Sequence, residues 1–287
     1  MTIAQLYLKN QQRSTVTTVG NPTPGPKLCR KADSVTMNGI RDLVAGEILA
    51  QVIPNYFPPS QCQKVAQRLI DNPLFGYYKN SGAENVGRVG TAYFEIENDS
   101  YRRELYYAQA IHDIQALREM FRPHWSPIDQ LRLDLEEIWP GGANLENIEG
   151  WLMFVGLGRV MENNAGILPH QDILRRDAPP NCQRASELKT QLAANIYLQT
   201  SQGGELEIWR RKVTDQEYEA LRIPGSYGLD RMRLGPPDLT IKPEMGDLIL
   251  FDSTNIHAVA PANAGVRVTI SCFIGYRGDE KPLSFWS

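Results

Sequence analysis

Two rhythms of apolar residues divide this chain. From about Pro59 to Arg122 they recur at helical spacing. "SQCQKVAQRLIDN" places Val65, Leu69 and Ile70 on one side and offers Ser60 as an N-cap. "NDSYRRELYYAQAIHDIQALREMF" predicts a longer helix, capped within Asn98 to Ser100 and stopped by Pro123. A third helix is predicted over Ser126 to Ile138, before "PGG". The rhythm then changes. "GWLMFVGLGRVM", "LAANIYLQT", "GELEIWR", "GDLILFD", "IHAVAPA" and "VRVTISCFIGY" are short, β-branched or aromatic, and bounded by Gly, Pro, Asn and Asp. Strands grouped in one half, rather than interleaved with helices, disfavour a doubly wound α/β sheet. The predicted fold is mainly β with flanking helices: a jelly-roll (double-stranded β-helix) barrel buttressed by N-terminal helices.

This pattern reads as a single domain over 1–287. An N-terminal arm and helical buttress span 1–149, the jelly-roll core 150–276 and a C-terminal tail 277–287. "GNPTPGPK" (Gly20 to Lys27) predicts a loop after the arm. A net charge of −3 gives no global electrostatic case for nucleic acid or an anionic membrane. No apolar run approaches the ~18 residues that a bilayer requires. "MTIAQLYLKNQQRS" lacks the basic and apolar regions of a signal peptide, and Cys29, Cys62, Cys182 and Cys272 are scattered without metal-finger spacing. The expectation is a cytoplasmic protein with reduced thiols and a small-molecule partner.

Candidate chemistry centres on "LPHQD". His170 and Asp172 lie two apart, which places both side chains on one side of an extended strand. Such a pair alone is weak evidence, but His257 follows the apolar "GDLILFD" segment and a polar turn. Two histidines and one carboxylate on one face of a metal, with open positions opposite, form the facial triad of non-haem Fe(II) oxygenases. Ten residues later, alternation puts Arg267, Thr269 and Ser271 on one strand face. A polar face inside a small barrel needs a polar ligand. The guanidinium fork suits the distal carboxylate of 2-oxoglutarate. His112 and His124 fall in or beside predicted helices and are read as ordinary residues without a role in the site.

Arg159 lies in an apolar strand, so it needs either a structural acid or a carboxylate of cosubstrate or substrate. Asn195 and Tyr197 alternate onto one face of the next strand, as further cosubstrate contacts or as barrel packing. The insertion Ile173 to Thr190 leaves the ligand pair carrying Arg175, Arg176, Arg184 and Lys189. As a lid it would favour a carboxylate-bearing substrate. A second insertion, Arg211 to Pro243, includes the helical "TDQEYEALR" and could cover the other rim.

With these residues in view, "HQD", "GDLILFDSTNIHAV" and "GVRVT" resemble the His-x-Asp…His…Arg pattern of Fe(II)/2-oxoglutarate-dependent dioxygenases. "FVGLGRVM", "LPHQD" and "NIYLQTSQGGELEIWR" resemble the branch of free or N-substituted amino acid hydroxylases and related alkaloid halogenases. The resemblance implies Fe(II) on His170, Asp172 and His257, with 2-oxoglutarate and O2 as cosubstrates. It also implies hydroxylation of an amino acid or an amino-acid-derived natural-product intermediate, with succinate and CO2 formed. Desaturation, cyclisation or oxidative N-dealkylation would begin with the same hydrogen abstraction. Halogenases of that branch carry Gly where this chain has Asp172, so hydroxylation is favoured over halogenation. A metal-dependent cupin-like isomerase or hydrolase, or a binding barrel without turnover, is the alternative outside the oxygenases. Arg267 argues against it, because such proteins need no buried anion anchor there.

Overall fold

In the computed structural model the described residues are 28–78, 86–97 and 99–287, so the predicted Gly20–Lys27 loop and Asn98 lie outside them. Four helices form the buttress: α1 (Met37–Ala45), α2 (Pro59–Ile70), α3 (Ser100–Phe121) and α4 (Pro127–Ile138). Asp99 caps α3 by accepting from the Arg102 N–H, and Ser126 caps α4 by accepting from the Ile128 N–H. Ser60, in contrast, is not the N-cap of α2. The helix begins two residues earlier, with Pro58 at the cap and Pro59 in the first turn. Proline's fixed φ and missing N–H suit that position, so the Pro58–Pro59 pair sets the boundary in place of the serine.

The barrel has a major and a minor sheet. We number its principal strands β1 (Ala50–Ile53), β2 (Val86–Val89), β3 (Leu157–Met161), β4 (Ile167–His170), β5 (Thr190–Gln199), β6 (Leu206–Ile208), β7 (Leu239–Ile241), β8 (Leu248–Asp252), β9 (His257–Val259), β10 (Arg267–Tyr276) and β11 (Leu283–Trp286). Through its centre the major sheet runs β1-β8-β5-β10-β3-β2, and the minor sheet runs β7-β6-β9-β4. Every neighbouring pair in these two series is antiparallel. Neighbours distant in sequence, such as β1 beside β8, show the crossed connections of a jelly roll.

Both faces of the major sheet are covered, which is why β5 and β10 are buried at nearly every position. One face packs on the helices through Leu69, Leu117, Phe121, Leu131 and Leu135. The other meets the minor sheet through Ala193, Tyr197, Phe251, Leu206 and Ile208. Burial of this apolar area is the main source of stability, at about 25 cal/mol per Å².

Two departures from the sequence reading concern the sheet edges. "GWLMFVGLGRVM" is not one strand: Trp151–Leu152 pairs locally, and β3 starts only at Leu157. Gly156 makes the bend at φ +108, and a Cβ there would lie 2.2 Å from Leu117 Cδ2. The sheet also reaches past 150–276 at both ends. β1 and β2 come from the N-terminal part, and the buried β11 of the tail pairs with β10. Among the described residues no helix is long and apolar enough to cross a membrane.

Candidate active site

The ladder between β4 and β9 sets His170 directly opposite His257. Asp172 follows β4, where its N–H donates to the Ser253 carbonyl at 3.0 Å. The Gln171 amide donates to the Thr254 carbonyl at 2.6 Å. The "HQD" segment is thereby pinned to the turn that precedes His257. Asp172 Oδ1 lies 3.5 Å from His170 Nε2, and its Oδ2 lies 3.2 Å from His257 Nε2. One ligand atom from each of the three residues falls within 4.8 Å of the others.

The rings are held in the tautomer a metal requires. His170 Nδ1 donates to the Leu168 carbonyl at 2.8 Å and His257 Nδ1 to the Asn255 carbonyl at 3.0 Å. A carbonyl only accepts, so each Nδ1 carries the proton and each Nε2 presents its lone pair towards Asp172. Phe251 packs edge-on against His257, and Tyr227 against His170, which fixes the ring planes. Burial, with His257 beside it, lowers the His170 pKa to about 4. Burial would raise Asp172, but the two histidines and Arg159 around it outweigh that and hold the carboxyl at about 2. Neutral imidazoles and an ionised carboxylate are the donor set of the facial triad.

Two cavities meet at these residues. The inner one, of about 50 Å³, lies between the sheets and is lined by His170, Asp172, Asn195, His257, Arg267 and Thr269, among others. Its polar floor follows from strand register. Tyr197, Thr269 and Arg159 are cross-strand neighbours on β5, β10 and β3, and Asn195 stands opposite Ser271. Arg267 is buried, with its guanidinium over the Tyr197 ring at 5.0 Å. Its NH1 donates to Met161 Sδ at 2.8 Å and its NH2 to the Tyr197 hydroxyl at 3.4 Å. Its Nε has no partner, and no carboxylate of a described residue pairs with it. A buried guanidinium supported only by a thioether and a phenol fits a site made for an anion. Asn195 lines this cavity, whereas Tyr197 packs in the core and presents its hydroxyl to Arg267.

The outer cavity, of about 350 Å³, shares Arg159, Ile167, His170 and Asp172 with the inner one. Arg159 therefore stands at the junction. Its Nε donates to the Tyr78 hydroxyl at 3.1 Å and its NH1 to the Ser271 hydroxyl at 2.6 Å. A structural acid is ruled out for it among the described residues, since both partners are neutral hydroxyls. Both insertions reach this chamber, as the lid reading expects, but most of their cations are already matched. Arg175 and Arg176 pair with Asp215, which ties the two insertions together, and Arg184 pairs with the buried Glu146.

The sequence reading missed most of this outer wall: Tyr78, Phe94, Asp177, Tyr218, Arg222 and Tyr227. A signal existed for two of them, because Tyr218 and Arg222 are four apart on "TDQEYEALR" and share a helical face. Asp177 is the acid with the most unusual environment. Burial first, and then the Asp172 charge, push its carboxyl up to about 7, against Arg176. His112 and His124 are exposed and line neither cavity.

Residues 157–275 match the sequence model of the 2OG-Fe(II) oxygenase superfamily. The chain is 26% identical over 265 residues to an L-gamma-glutamyl-L-propargylglycine hydroxylase from Streptantibioticus cattleyicolor, covering 90% of this chain and 95% of that protein. It is 25% identical over 251 residues to an L-isoleucine 3(1)-dioxygenase from Pantoea ananatis, covering 82% of each. The fold is similar to that of an N-substituted L-amino acid dioxygenase from Burkholderia ambifaria. That likeness has a TM-score of 0.56 at 18% identity and covers 88% of this chain and 92% of that one. With its complex with alpha-KG the TM-score is 0.57 at 16% identity, covering 87% and 90%. The family match coincides with the strands that carry His170, Asp172, His257 and Arg267, and this likeness to the 2OG-Fe(II) oxygenase superfamily supports a dioxygenase with iron and 2-oxoglutarate as its cofactors.

Proposed function

We propose that this enzyme hydroxylates an unactivated C–H bond of an amino acid or an amino-acid-derived small molecule. In the balanced reaction the C–H bond, 2-oxoglutarate and O2 become the alcohol, succinate and CO2. The observation that carries this reading is the pair of cavities that share His170 and Asp172 of the His-Asp-His cluster. On this assignment His170, Asp172 and His257 hold Fe(II), which supplies the oxidising chemistry when bound with its cosubstrates. Arg267 anchors the distal carboxylate of 2-oxoglutarate, with Thr269, Asn195 and the Tyr197 hydroxyl beside it. Arg159, at the junction, is left facing the carboxylate of the substrate.

The residues of the outer chamber position the substrate and exclude water, and the Arg176–Asp215 bridge holds that wall closed. The Asp172 carboxylate fills the position that a halide would need, which favours hydroxylation over halogenation. The named activities of the relatives, on isoleucine and on a glutamyl dipeptide, support an amino-acid substrate. Succinate release measured across free amino acids and their N-substituted derivatives tests the reading. Release stimulated by none of them would remove the substrate class.

A further inference from the structure

Asp177 ends the short helix Leu174–Asp177 that directly follows the Asp172 segment, and its side chain lines the outer chamber. The other charged groups on that wall are matched. Arg176 is bound to Asp215 and stacked on Tyr218, Arg222 is paired with Glu219, and Glu97 with Arg102. Among the described residues Asp177 makes no hydrogen bond or ion pair. Arg159 is its counterpart, a half-buried cation held only by two hydroxyls. Two charges of opposite sign, neither with a charged partner within bonding distance, thus border one aromatic-lined chamber, both within reach of the Asp172 field.

We propose that Asp177 receives the protonated amino group of the substrate while Arg159 receives its carboxylate, so that the enzyme selects amino acids with a free amine over N-acylated ones. This rests on the amino-acid reading above and narrows it. An ammonium entering a chamber walled by Tyr78, Phe94, Tyr218 and Tyr227 gives up water and needs an anion in return. The aromatic faces add cation–π attraction. An N-acyl nitrogen is neutral, and it would bury the Asp177 carboxylate with no countercharge. A buried polar group left without its partner is what lets a site reject an analogue strongly. The raised Asp177 pKa agrees, since a carboxyl poised near neutrality is restored to its anionic form by an incoming cation.

The test uses L-isoleucine, L-leucine and L-norvaline beside their N-acetyl derivatives. Binding is measured calorimetrically in the presence of 2-oxoglutarate and an inert divalent metal, and succinate release is measured with Fe(II). The wild type is expected to bind the free amines at least ~10-fold more tightly than the acetylated partners, the scale of one charge-assisted hydrogen bond. Asp177→Asn should lose that preference and Asp177→Glu keep most of it, with 2-oxoglutarate affinity unchanged in both as the check on folding. A wild type that prefers the acetylated series overturns the proposal and leaves the amino-acid reading standing, and that arm needs no variant. A preference that survives Asp177→Asn overturns it equally. If neither series binds or stimulates turnover, the amino-acid reading fails together with the proposal.

Discussion

His170 and His257 face each other across the β4–β9 ladder with ring centroids 4.3 Å apart, each Nδ1 tied to a backbone carbonyl two residues before it. The pair is positioned by backbone, so removing one ring should leave the barrel intact. His170→Ala or His257→Ala is expected to lower Fe(II)-dependent turnover by more than ~100-fold, with circular dichroism and thermal midpoint close to the wild type. Retained turnover in either variant would take that histidine out of the metal site.

Arg267 has no carboxylate partner among the described residues, although it is almost fully buried. Losing a buried charge-assisted contact costs about 2–5 kcal/mol. Arg267→Leu should therefore raise the concentration of 2-oxoglutarate needed for half-maximal succinate release by at least ~30-fold. The requirement for the amino-acid substrate should shift far less. Equal shifts in both would move the anchor to another residue, with Arg159 next in line.

Asp172 offers its two oxygens to the two imidazole Nε2 atoms at 3.2 and 3.5 Å, so the carboxylate lies within the donor set. With that position filled by a carboxylate, product formed in high chloride should carry a hydroxyl and no chlorine. Mass spectrometry of the wild-type product decides the point. A chlorinated product from the unmodified enzyme would sink the proposed role of Asp172.

Asp177 predicts a pH effect with a defined sign. Its folded-state pKa is raised to about 7 by burial and by Asp172, against an unfolded value near ~3.9. Between those values the folded protein binds more protons than the unfolded chain, so this group's contribution to stability falls as pH rises. Asparagine does not titrate. In metal-free protein, the thermal midpoint of Asp177→Asn relative to wild type should therefore increase from pH 4 to pH 8. A flat or falling difference would show that the carboxyl is not held in the protonated direction.

The candidate metal centre was legible in the sequence because His170 and Asp172 lie two apart in extended chain and His257 follows an apolar run and a polar turn. The same holds for Arg267, a charge that alternates into the barrel. The chamber was not legible, because Tyr78, Phe94, Asp177, Tyr218 and Tyr227 come from separate segments that only the folded barrel brings together. β1 escaped notice as "AQVI", four residues buried on both faces, with no alternation to announce a strand. β11 was read as tail for a similar reason, since "LSFW" becomes a strand only by pairing with β10. At α2 a local serine signal lost to the two prolines beside it.

The two histidines belong to the minor sheet, whereas Arg267 belongs to the major one. On the proposed assignment the barrel acts as a calliper: iron sits on one jaw and the anchor on the other, and the opening between them measures the chain length of the diacid. Packed sheets stand about 10 Å apart. That opening is held by Leu206 and Ile208 on one side and by Ala193 and Phe251 on the other. Selectivity among 2-oxo diacids of different length thus resides in apolar residues that touch neither carboxylate, and trimming Leu206 should alter which diacid fits before it alters how strongly the ends are held.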